Sequence, residues 1–334
     1  HSSPRRQRQM CIRDRPATPV QRMHWASMRE AGTLFGLRFL YFVHRVFGRW
    51  LVSFCLWPTV AYFVLFRPAS RRSSQQFLRA HYACYPAFWS RTPTLWDTCK
   101  HLYLFAQTVV DKLLSLSVDI DADQFDIAHP ERIDELMADT RGQLIIGSHM
   151  GNLEYCRGFM HRYRDKSINI LVHDKHSENY NTVMQQLNPD SRLNIFQVEE
   201  FDIPTMLTIK KKIDDGEWVF IAGDRTPLTG QARTVEVTFF GRTAHFPIGP
   251  YMLAQGRGCP VKLMFSYCDY FAPGKPVFFE VETFTDRVTL GRAERAAKLQ
   301  AYAQQFATAL EQQVAKAPFQ WFNFYDFWAE PTKI

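Results

Sequence analysis

The seven cysteines of this 334-residue chain (Cys11, Cys55, Cys84, Cys99, Cys156, Cys259 and Cys268) form no C-x-x-C pair and are odd in number. That pattern argues against a disulfide scaffold or a zinc ribbon and suits a reducing compartment. Cys156 reads as a small packing residue rather than a nucleophile. No H-E-x-x-H, P-loop or G-x-G-x-x-G is present, which sets aside metal catalysis and nucleotide hydrolysis. Gly147-Ser148 does not belong to a G-x-S-x-G elbow, because Gly151 falls one position too late. No metal and no cofactor is expected. Internal repeats and low-complexity linkers are also missing, as is a nucleic-acid recognition module beside the basic N-terminal segment, so no nucleic-acid partner is expected. Lysine is absent from the first 72 residues, and so is almost all negative charge.

What is there is unevenly placed. Residues 1–72 carry thirteen Arg against Asp14 and Glu30, a formal +11, while the remaining residues sum to −4. The net +7 therefore belongs to the N-terminal segment. Hydrophobic residues make up 46% and aromatics 15%, with 28 Phe and 8 Trp, enough for a large core and suggestive of contact with lipid. Residues 1–15 match nothing that follows and are set apart as a non-native or disordered tail. Residues 16–72 read as a basic, apolar membrane-anchor segment, and residues 73–334 as an α/β domain with a helical lead-in. Within the anchor, Leu34 to Phe66 is the most apolar stretch, and Trp50 to Phe66 has no charge. Seventeen helical residues reach roughly 25 Å, short of the ~30 Å hydrocarbon core, and Pro58 should bend them. No small-residue cleavage site follows, so a secretory signal is not expected. A bent anchor lying in one leaflet is favoured over a spanning helix. Its arginines suit an anionic membrane surface.

After an aromatic-rich helical stretch from Ser73 to about Val118, strands and helices alternate. Strands are expected at Gln143–Gly147, Ile168–Val172, Leu193–Val198, Trp218–Ala222, Thr234–Phe239, Val261–Ser266 and Val277–Val281. Helices are expected at Asn152–Tyr163, Ser177–Leu187, Pro204–Asp214, Pro247–Gln255 and Arg292–Lys316. Such alternation implies an α/β fold: a mostly parallel mixed sheet flanked by helices, behind an N-terminal helical membrane anchor.

Three clusters could carry chemistry. The first is Gly142–Gly158, where an apolar run stops at Gly147 and His149-Met-Gly-Asn-Leu-Glu154 follows. Positions five apart on one regular helix point about 140° away from each other, so His149 and Glu154 meet only if His149 lies on the turn and Glu154 in the first helical turn. Held so, they form a base and its orienting carboxylate. A capping histidine and an acidic residue near a helix N-terminus explain the same stretch. The second is Gly223-Asp224-Arg225-Thr226-Pro227 at a strand end, where Arg225 could bind a phosphate or carboxylate, or simply contact Asp224 in a surface turn. The third, Phe239 to Pro250, reads as a turn leading into a helix, with His245 more structural than catalytic.

The ordered set H-x-x-x-x-E, then G-D-R-T-P, then F-P-x-G-P followed by C-P-V, resembles the lysophospholipid acyltransferase superfamily. The nearest branch is the lipid A late (lauroyl/myristoyl) acyltransferases and their relatives in aryl polyene clusters. The likeness runs from about Leu34 to Trp328 and includes the ending Ala317-Pro318-Phe319-Gln320-Trp321-Phe322-Asn323-Phe324. It implies transfer of a fatty acyl chain from acyl carrier protein (or acyl-CoA) to a hydroxyl of a membrane lipid, at the cytoplasmic face of a bacterial inner membrane. By position, His149 would be the general base and Glu154 its orienting carboxylate. Gly151, Asn152, Asn181, Asp224 and Arg225 would lie on the substrate side, with the backbone N–H groups of Gly151 and Asn152 as oxyanion donors. Arg225 departs from the Asp-Gln or Asp-His of the lipid A branch, which leaves the acceptor open. A glycerophospholipid acyltransferase using acyl-CoA, and an inactive lipid-binding membrane protein, are the alternatives.

Overall fold

A computed structural model describes residues 42–114, 125–152, 167–172, 193–197, 203–226, 234–255, 259–268 and 276–329. The expected tail at 1–15, the first part of the anchor, Glu154, Cys156, Asn181 and the helix over 177–187 lie outside these residues, as does all but the first residue of the helix over 152–163.

The helical lead-in consists of α1 (Arg49–Phe66), α2 (Pro68–Cys84) and α3 (Leu95–Leu114). Helix α1 is amphipathic by packing rather than by polarity. Val52, Leu56, Val60 and Val64, four apart, are buried, while Trp50, Phe54, Tyr62, Leu65 and Phe66 are exposed. The buried stripe lies against α3, where Trp57 stacks on Tyr103 with ring centroids 4.6 Å apart and Arg49 pairs with Asp111 at 2.9 Å. Helix α1 stays α-helical through Pro58; the chain is interrupted instead at Gly48, whose φ of 77° no other residue type adopts readily. Pro58 removes one backbone hydrogen bond within α1, whereas Gly48 leaves the helical region altogether.

The sheet has seven strands: β1 (Phe125–Ile127), β2 (Gln143–Gly147), β3 (Ile168–Val172), β4 (Leu193–Gln197), β5 (Trp218–Ala222), β8 (Val261–Tyr267) and β9 (Val277–Thr285). Their order is β1-β9-β8-β2-β5-β3-β4, with every pairing parallel except β8 with β9. Helices α4 (Pro130–Ala138), α5 (Ile203–Asp214), α6 (Gly249–Ala254) and α7 (Arg295–Lys316) also lie among the described residues. Alternate residues of the central strands serve the two faces. Leu144, Ile146, Val219 and Ile221 join the larger core with α1, α2, α3 and α7; Ile145, Trp218 and Phe220 join the smaller one with Ile133 and Leu136 of α4. Burial on both faces is why these strands read as unbroken apolar runs.

A separate ribbon corrects one expectation. β6 (Thr234–Phe239) pairs antiparallel with β7 (Arg242–Pro247), so part of the stretch read as a turn is strand, and His245 lies opposite Glu236 on it. The turn is Phe240-Gly241, both at positive φ (49° and 66°), as a tight two-residue hairpin requires. Phe240 holds this conformation with its ring buried against Phe77 and Phe239 and its N–H donated to Glu311 at 2.6 Å.

Candidate active site

Parallel register builds the site. Strands β2 and β5 are neighbours, with Gly147 opposite Ala222, and the N–H of Gly223 donates to the Gly147 carbonyl at 2.9 Å. His149 lies two residues past the end of β2 and Asp224 two residues past the end of β5. Equal overshoot on adjacent strands puts the two side chains together, although 75 positions separate them. The His149 Nδ1 lies 2.8 Å from Asp224 Oδ1, and the His149 backbone N–H donates to Oδ2 at 3.0 Å.

Asp224 is fully buried and its second oxygen is crowded with donors. Trp321 Nε1–H donates to Oδ2 at 3.0 Å, and Asn323 Nδ2–H at 2.9 Å. Arg225 fixes the amide of Asn323 by donating from Nε to Oδ1 at 2.8 Å, and its Nη2 donates to the Phe322 carbonyl at 3.1 Å. Burial by itself would raise the Asp224 carboxyl. The adjacent imidazole, its hydrogen bond, the Arg225 charge and the His149 N–H outweigh that and bring it down to about 2. A carboxylate therefore faces the imidazole throughout the physiological range. It can only accept, so Nδ1 carries the hydrogen, and in the neutral ring Nε2 carries the lone pair.

The C-terminal segment is the third wall. Met150 and Trp321 form an antiparallel bridge; Gly151 N–H donates to the Gln320 carbonyl at 2.7 Å, and Phe322 N–H to the His149 carbonyl at 2.8 Å. The indole of Trp321 is wedged between Phe77, Phe239 and Phe327, with centroids 4.7–5.3 Å away, so its N–H has one direction to point. Its carbonyl accepts from Nε2–H of buried His101 at 2.9 Å, which leaves Nδ1 to accept from the Ser74 hydroxyl at 3.0 Å.

His149, Gly151, Asn152, Asp224 and Arg225 are thus brought together at one end of the sheet. The Gly151 and Asn152 backbone N–H groups, foreseen as oxyanion donors, are both engaged within the protein. Gly151 N–H is spent on Gln320, and Asn152 N–H donates to the Ser266 carbonyl at 3.2 Å. Gly151 is there for space: at φ 60°, a Cβ would fall 1.7 Å from the Ser266 oxygen. Arg225 anchors the C-terminal segment, a use that the sequence did not suggest. Trp321 and Asn323 were visible only as part of a terminal motif, without any hint that their donors converge on Asp224. Glu154 and Asn181 lie outside the described residues.

A histidine oriented by a buried carboxylate, at the carboxyl ends of parallel strands, can take a proton from a hydroxyl group. Residues 106–330 match the bacterial lipid A biosynthesis acyltransferase family, and the chain belongs to that family. No curated protein matches it significantly. The chain is therefore an acyltransferase of the lipid A biosynthesis type.

Proposed function

We propose that the protein moves a fatty acyl chain from acyl carrier protein to a hydroxyl of a lipid A-type acceptor at the cytoplasmic face of the inner membrane. The observation that carries this reading is the 2.8 Å contact between His149 Nδ1 and Asp224 in a chain of this family. Nε2 of His149 takes the proton of the acceptor hydroxyl as its oxygen attacks the thioester carbonyl. The tetrahedral intermediate then collapses, the C–S bond breaks, and the proton on Nε2 passes to the leaving thiolate. Atoms and charge balance without a covalent enzyme intermediate. Asp224 keeps the imidazole in the required tautomer and offsets the positive charge it acquires. Glu154 enters the proposal from the family motif, as a second carboxylate five residues beyond the base. The acidic surface of an acyl carrier protein would be drawn to the basic N-terminal part of the chain.

Helix α1 supplies the membrane side of the proposal. Among the described residues it is the one helix long and apolar enough to cross a membrane, but its buried stripe against α3 suits a helix lying in one leaflet. The test is acyl transfer to a lipid A-type acceptor in mixed micelles, with acyl carrier protein and coenzyme A thioesters compared as donors. His149→Ala should lower kcat by about 10²–10⁴-fold with its circular dichroism unchanged. Activity within a few-fold of wild type would remove His149 as the base, and preference for the coenzyme A thioester would overturn the donor assignment.

A further inference from the structure

From Ala31 to Trp96 the chain has eight arginines, no lysine and no acidic residue. Several of these arginines are used within the fold. Arg49 pairs with Asp111 at 2.9 Å, Arg91 with Asp97 at 2.6 Å, and Arg71 donates to the Val64 carbonyl at 2.8 Å, closing the end of α1. Arg72 and Arg79 are different. They are two turns apart on α2, both exposed, and neither has a carboxylate partner among the described residues. Arg242, at the start of β7, faces them across an open pocket of about 390 Å³ that Gln75, Gln76 and Ala80 complete. Its guanidinium lies 4.5 Å from the Trp328 ring centroid, which holds the group in place without neutralising it. Three cations lining one cavity with no carboxylate paired to them among the described residues repel one another, an arrangement that an external anion would relieve.

Its place in the fold identifies that anion. Arg71 ties the head of α2 to the end of α1, and there Leu65 and Phe66 are about two-thirds exposed. The pocket opens one residue further on. An apolar helix end that enters a bilayer to the level of the acyl chains would bring a cavity at its base to the level of the phosphates. We propose that the Arg72–Arg79–Arg242 pocket binds the phosphate of an anionic phospholipid headgroup, with the Gln75 and Gln76 amides available to its hydroxyls. Guanidinium forks suit phosphate oxygens better than a point charge does. The site is distinct from the His149–Asp224 centre and would hold the enzyme on the bilayer surface. It rests on the membrane-surface reading of α1 given above.

The experiment is vesicle co-sedimentation of the full chain with phosphatidylcholine alone and with phosphatidylcholine:phosphatidylglycerol (7:3). The triple variant Arg72→Gln/Arg79→Gln/Arg242→Gln is run beside wild type, with circular dichroism as the folding control. Wild type should prefer the anionic vesicles, and the triple variant should lose roughly 100-fold of that binding, at about five-fold per charge. Binding to neutral vesicles and turnover in mixed micelles should change little. Equal binding of the variant to anionic vesicles would overturn the pocket assignment. Binding of inorganic phosphate that the triple variant loses, while its vesicle binding stays unchanged, would make it a free-anion site and overturn the lipid assignment. A variant that raises KM for acyl carrier protein but sediments normally would make it a protein-docking patch, and the lipid assignment would fall with it. Wild type that binds no vesicle of either composition would sink the membrane reading itself, a result separate from the micellar His149 assay.

Discussion

Two regions of this molecule treat charge in opposite ways. At the carboxyl ends of β2 and β5, Asp224 is buried and accepts from His149, Trp321 and Asn323, while Arg225 is tied to the C-terminal segment. Where the helical lead-in meets the start of β7, Arg72, Arg79 and Arg242 line one pocket with no carboxylate partner among the described residues, and on α1 Trp50, Phe54 and Phe66 stand exposed. A buried charge that is fully hydrogen-bonded positions something inside the protein. Charges and aromatics left without internal partners are set for something outside it. On the readings proposed above, one region serves the chemistry and the other a membrane surface.

Asp224→Asn is the sharpest way to break the first region. The amide would set N–H against the donors of Trp321, Asn323 or His149 and would no longer select the Nδ1–H tautomer. The expected result is a fall in kcat of about 10²–10⁴-fold, with KM for the acyl donor within a few-fold. Glu154→Gln, assayed in parallel, should cost less. A larger loss from Glu154→Gln would hand the orienting role to that residue.

The next effect is a stability change with pH. Burial lowers His101 to about 4, against about 6.5 in an unfolded chain, and the same cause lowers His81 to about 4. Both fold as neutral rings, so their contribution is intact above pH 6.5 and lost as the pH falls from 6.5 to 4, when the unfolded chain gains protons. His101 should account for about 3 kcal/mol of this loss. Asp224, lowered to about 2, acts in a more acidic window, between about 4 and 2. Urea unfolding at pH 7 and 4.5 reads the effect, and His101→Gln should flatten the difference. An unchanged slope in that variant would show that His101 titrates normally.

The smallest expected change lies in the second region. Phe54→Ser removes an aromatic ring that is 68% exposed, so unfolding free energy should stay within about 0.5 kcal/mol while vesicle binding weakens. A loss of several kcal/mol would mean that the outer face of α1 is buried by protein.

Much of the fold was legible because parallel strands buried on both faces leave continuous apolar runs. Gln143–Gly147, Ile168–Val172 and Trp218–Ala222 were bounded to the residue. Strand β7 was not, because Arg-Thr-Ala-His-Phe-Pro is polar and ends in proline; its pairing partner, β6, makes it a strand. Strand β1 is three residues long and α4 nine, too short for periodicity to mark. In the candidate site, His149 and Asp224 were both singled out, yet as members of separate clusters.

The local signals in the chain were sufficient for the kind of protein: the strand-turn at Gly147, the polar Asp224-Arg225 after a second strand, an arginine-rich apolar lead-in, and the ordered motifs of an acyltransferase family. Which carboxylate meets His149 was a matter of register between β2 and β5. That register depends on packing of the whole sheet rather than on any neighbouring residue. The same holds for Trp321 and Asn323, which reach Asp224 only after the C-terminal segment has folded back along Met150, and for the three arginines that α2 and β7 bring to one pocket.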